Sequence, residues 1–140
     1  MPPARKKLRA KLIRAASGRC EYCLTPQEMT LAIFHLDHIF PRSAGGKTEF
    51  ENLCLSCPLC NQFKRSRTRA RDPETGQHVL LFNPRRDQWP KHFKWSGDGT
   101  QIMGLTRRGR ATIAALQMNN TLALRARAFW VAAGIHPPEL

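Results

Sequence analysis

The side chains best suited to chemistry lie between Cys20 and Lys64, and they divide into soft and hard donors. Two Cys-x-x-Cys pairs, Cys20 with Cys23 and Cys57 with Cys60, supply four thiolates, the tetrahedral set that zinc takes in closed structural sites. Residues 24–56, between the pairs, exceed the spacing of a simple zinc ribbon, so the ion would clamp the two ends of an inserted pair of strands. Within that insertion stand Asp37 and His38, and Asn61 follows the second pair. Hydrolysis of a phosphodiester needs a base for water and a hard cation to neutralise charge at the phosphorus and the leaving oxygen. His38 can be that base, Asp37 an oxygen ligand, and Asn61 a second hard oxygen at the start of a helix. Cys54 is left over. It could replace Cys57 in an overlapping pair, but Cys57-Pro58-Leu59-Cys60 opens a helix in knuckle fashion, so Cys54 is expected to be buried, reduced and inert.

The elements that must position these groups can be read from periodicity. Residues 4–16 carry Leu8, Leu12, Ala15 and Ala16 on one helical stripe among six cations, and Gly18 suits a left-handed cap. The apolar run 31–40 predicts a strand stopped by Pro41. Strict alternation would send Asp37 and His38 to opposite faces, so the strand must bend or end there. Ser43 to Thr48 is a glycine turn and not a phosphate-binding loop, because Pro41 falls where the first glycine would stand. A second strand, Asn52 to Leu55, and a helix from Cys57 through Lys64 complete the unit. The basic run 64–71 is a phosphate track or a flexible linker. Beyond it come a short strand at 79–82, a hairpin from Phe93–Trp95 to Ile102–Leu105, and a helix capped by Thr106. A last helix from Thr121 has Leu122, Ala126, Phe129, Trp130 and Ala133 as a packing stripe.

Together the central residues resemble the HNH endonucleases, built on the ββα-metal fold, of the stand-alone bacterial or phage type with a four-cysteine zinc site. The resemblance runs from about Arg19 to Lys64, through Cys20-x-x-Cys23, Phe34-His35-Leu36-Asp37-His38-Ile39, Pro41, Gly45-Gly46, Glu51-Asn52-Leu53 and Cys57-x-x-Cys60-Asn61-x-x-Lys64. It implies that His38 is the general base, that Asp37 and Asn61 bind a catalytic magnesium or manganese ion, and that Asn52 ties the loop that aims His38. Asn61 stands where many members have histidine, giving an H-N-N variant. The segment beyond Asp72 resembles an extension of some small members and brings no chemistry of its own. The fold expected is α+β: a zinc-stapled ββα-metal core with an N-terminal helix over residues 1–70, and a hairpin-plus-helices extension over 71–140 packed on it.

His35 shares a face with Asp37 by strand period, which makes it a third metal ligand, a partner to a ligand, or a phosphate contact. His78, His92 and His136 lack partners at ligand spacing. Arg42, Lys47, Lys64, Arg65 and Arg67 are the candidates for phosphate positioning, which fixes register without reading sequence. A formal charge of +13 over 140 residues, spread along the chain, points to a polyanionic partner. No apolar run reaches the ~20 residues of a membrane span, no signal-peptide core is evident, and the odd cysteine count favours metal over disulfides, so a cytoplasmic address without membrane or small-molecule cofactor is expected. The function expected is cleavage of DNA, double-stranded by preference, to 5′-phosphate and 3′-hydroxyl ends. The alternatives are a zinc-stabilised binding module without turnover and an RNA-directed nuclease.

Overall fold

The computed structural model describes residues 3–140. They form two compact units: residues up to Thr68 together with Asn83–Arg86, and Arg69–Phe82 together with Asp87–Leu140. The first division falls at Thr68, and four residues from the middle of the extension belong to the first unit.

In the first unit, helix α1 spans Pro3–Ala15. Of its predicted stripe only Leu12 is fully buried, and Ala15 is exposed. Its cations supply part of the anchoring instead. Arg9 donates to the Phe34 carbonyl at 2.8 Å, and the Lys11 ammonium sits 4.1 Å over the Phe50 ring. Ser17 and Gly18 then take positive φ as the helix ends. Strand β1, His35–His38, pairs antiparallel with β2, Leu53–Ser56, in the register Asp37 to Cys54 and His38 to Leu53. The strand is shorter than the apolar run 31–40, because Leu31 and Ile33 are exposed. Every residue of β2 is buried, as a strand covered on both faces requires. Helix α2, Pro58–Lys64, starts from Cys57, whose sulfur accepts the Cys60 amide, with Pro58 in the first turn where its missing N–H costs nothing. Asn83–Arg86 completes this unit: Arg85 pairs with Glu21 and its guanidinium lies 4.8 Å over Phe50.

In the second unit, β3, Arg69–Arg71, pairs with β4, His78–Leu80, so the end of the basic run is a hairpin strand and not a flexible linker. Asp72 closes that hairpin, accepting Arg110 Nε and Nη2 at 3.0 Å each. A short helix α3, Trp89–His92, leads into β5, Phe93–Trp95, which pairs with β6, Ile102–Gly104, as the alternation predicts. Phe82, Trp89 and Phe93 pack at ring separations near 5 Å to form an aromatic core. Helix α4, Arg107–Leu116, is capped by Thr106, which accepts from the Gly109 amide at 3.0 Å. Helix α5, Thr121–Ala132, departs from expectation. Leu122 and Phe129 are 70% and 76% exposed, and the helix's buried residue is Arg127. Its guanidinium donates to the carbonyls of Thr100 and Met118 and to Asn119 Oδ1, so hydrogen bonds to irregular backbone dock the helix where an apolar stripe was expected. No helix among the described residues is long and apolar enough to cross a membrane.

Candidate metal centre and active site

Cys20 and Cys23 flank a tight knuckle in which the Leu24 amide returns to the Cys20 carbonyl, while Cys57 and Cys60 frame the first turn of α2. The four sulfurs lie within 4.8 Å of one another, all buried, and Cys23 and Cys57 are 3.8 Å apart. An edge of that length matches a tetrahedron with metal–sulfur bonds of about 2.3 Å. Ionising all four sulfurs at such separations requires a cation. Hydrogen bonds from Cys20, Cys57 and Cys60 pull Cys23 well down, whereas burial pushes Cys20 up and the neighbouring thiols push Cys60 up. The donor set and its closure fit a structural zinc ion. All five cysteines are free of disulfides, and Cys54, fully buried and pushed up by burial first and by Asp37 second, lies outside the cluster.

Asp37 and His38 keep the alternation of β1, and the strand ends at His38 with both residues still in register. The neighbours therefore face opposite ways. Asp37 is 6% exposed, and its Oδ2 receives the Tyr22 hydroxyl at 2.8 Å and the Lys64 ammonium at 3.1 Å. Lys64, expected to hold phosphate, is 1% exposed, and it also donates to the His38 carbonyl at 3.1 Å. A buried carboxylate needs a cation more than a solvated phosphate does, which is why the residue turns inward. Asn61 lies one helical turn before Lys64, half-buried on the same side of α2. Removing the Lys64 charge should be costly: Lys64→Met is expected to destabilise the zinc-loaded protein by about 3–5 kcal/mol in denaturant unfolding, and Asp37→Asn added to it should recover part of the loss.

The His38 ring is half-exposed, with Nε2 2.9 Å from Thr48 Oγ1. Partial burial lowers its pKa, Asp37 pulls it up, and Arg42, Arg5 and Lys64 push it down again. The net effect favours the neutral imidazole, the form able to accept a proton. Asn52 fixes the loop around it. Its Oδ1 accepts the Phe40 amide while Nδ2 donates to the carbonyls of Phe40 and Lys47, each at 2.9 Å. Gly46 is required at that crossing, since a Cβ there would lie 1.8 Å from the Phe40 oxygen.

Arg42, Lys47, Arg65 and Arg67 are exposed. Arg67 folds back on the end of α2, donating to the Phe63 and Lys64 carbonyls. His35 is exposed at the start of β1, and among the described residues no group of three or more His, Cys, Asp or Glu ligand atoms gathers at metal-binding distance besides the four cysteines. Sequence reasoning missed Tyr22 and Thr48. The first carries a weak signal as the chain's one tyrosine, set inside the cysteine knuckle; the second was folded into the glycine turn.

An antiparallel strand pair leading into a helix, with a four-cysteine cluster joining the knuckle to that helix, is a ββα-metal core. Residues 20–67 match the family model of the HNH endonucleases, so the first unit carries an HNH domain, the domain of a family of nucleases. The comparisons with curated proteins and with solved structures gave no match.

Proposed function

We propose that the protein is a metal-dependent endonuclease that hydrolyses DNA phosphodiesters, double-stranded DNA by preference, leaving 5′-phosphate and 3′-hydroxyl ends. The observation that carries this reading is the half-exposed His38 ring beside a loop pinned by Asn52, within the HNH domain. His38 takes the proton from the attacking water. Asp37 and Asn61 would hold one divalent ion: Tyr22 and Lys64 both approach Oδ2 of Asp37, which leaves Oδ1 for a ligand, and the Asn61 side chain makes no hydrogen bond among the described residues. Two hard oxygens, with water and phosphate supplying the rest, suit magnesium or manganese. When bound, that ion supplies charge neutralisation at the phosphate and the leaving oxygen. The role of the four cysteines is to hold zinc and keep the knuckle bearing Tyr22 against α2. Exposed Arg42, Lys47, Arg65 and Arg67 and the cationic α1 offer sequence-independent contacts to the backbone of the nucleic acid.

Zinc-loaded protein incubated with supercoiled plasmid, linear duplex, single-stranded DNA and RNA tests the reading. Nicking or cutting that requires added magnesium or manganese is expected, with duplex DNA the best substrate. Salt-sensitive binding without cleavage in any divalent metal would leave a binding module, and preferential RNA cleavage would reassign the substrate.

A further inference from the structure

Thr48 has no role in the chemistry set out so far, yet it is the residue hydrogen-bonded to the His38 ring. A neutral imidazole carries one N–H and one lone pair, and the partner of one nitrogen decides what the other can do. We infer that Thr48 is a positioning residue: its hydroxyl accepts the Nε2 hydrogen of His38, fixing the tautomer in which Nδ1 keeps its lone pair for the attacking water. The inference rests on the nuclease reading for what Nδ1 does, and on the geometry alone for the contact.

The contact is surface-exposed, and a threonine on a free loop would hold a ring poorly. This loop is not free. Asn52 grips it at Phe40 and again at the Lys47 carbonyl, and the 3-10 turn Phe50–Asn52 hydrogen-bonds back from Asn52 to Glu49. Thr48 is thus the residue between two fixed carbonyls, those of Lys47 and Glu49. On the other side, the Ile39 amide donates to the Asn52 carbonyl at 2.8 Å and His38 is paired with Leu53, so ring and hydroxyl hang from the same strand pair. The side chain of Asn52 holds backbone; Thr48 turns that hold into an orientation of the imidazole.

The test uses the full-length, zinc-loaded chain. Thr48→Val keeps shape and branching and removes the hydroxyl; Thr48→Ser restores it. In the magnesium-dependent cleavage assay Thr48→Val should lower kcat by about tenfold, the loss of one orienting hydrogen bond, with KM little changed and Thr48→Ser near the intact rate. Nitrogen-15 spectra of the histidine rings, taken without divalent ion at a pH where His38 is neutral, should show the Nε2–H tautomer in the intact protein and in Thr48→Ser, and a mixture in Thr48→Val. An intact rate in Thr48→Val, a Thr48→Ser variant as slow as Thr48→Val, or an Nδ1–H tautomer in the intact protein each overturns the inference. A protein that cleaves nothing sinks the nuclease reading instead, and the spectra then decide by themselves whether Thr48 sets the ring.

Discussion

His38→Ala is expected to lose cleavage by about 10²- to 10⁴-fold, the range that a positioned general base contributes, while leaving the fold intact. The ring is half-exposed and its contact is a single hydroxyl, so truncation removes little packing; surface changes of this kind usually alter stability by only about 0.5 kcal/mol. The Lys64 hydrogen bond goes to the main-chain carbonyl of residue 38, which the variant retains. The two readings therefore separate cleanly: nicking of supercoiled plasmid in magnesium should collapse while the thermal midpoint stays put. A variant that cuts at the intact rate would remove His38 from the mechanism. One that unfolds would show that the ring was structural, against its exposure.

Stripping the metal from the four cysteines should be the largest perturbation of stability. Structural zinc sites hold on the order of 10 kcal/mol of free energy, comparable with the whole stability of an ordinary domain. The first unit has little else to replace it: two four-residue strands and a seven-residue helix surround the site. Chelation, or Cys60→Ser, should therefore unfold that unit. The chain provides its own reporters, because its single tyrosine, Tyr22, lies in the first unit and its three tryptophans, Trp89, Trp95 and Trp130, lie in the second. Ring resonances of Tyr22 should collapse to unfolded positions on metal removal. Tyr22 resonances unmoved after quantitative loss of zinc would defeat the prediction.

What the sequence disclosed depended on how local the cause was. Cysteine spacing, the Thr106 cap and the alternation at Phe93–Trp95 act within a few residues, and each appears in the structure as read. The ends of β1 were misjudged because Leu31 and Ile33 have the composition of a strand and no partner to make one. Lys64 was misassigned for a different reason. A lysine in a basic run looks solvated until the fold brings a buried carboxylate from 27 positions upstream within 3.1 Å of it. Arg127 inverted a helix face in the same way, its carbonyl partners at Thr100 and Met118 being visible only once the irregular segments around α4 are traced. Thr48 was in plain view and went unread, since nothing in a glycine turn says which side chain will face a ring on the preceding strand.

The Asn83–Arg86 segment has a consequence for how the protein is made. Glu21 sits in the cysteine knuckle, where burial raises its pKa against the opposing Leu55 amide and Arg85. Its guanidinium partner is encoded 21 residues after the end of α2, so at ~5–20 residues per second a ribosome delivers it roughly 1–4 s late. Through that interval the nascent first unit holds its cysteines and its histidine but carries a part-buried carboxylate awaiting its cation. A fragment cut at the apparent end of the motif would be frozen in the same unfinished state.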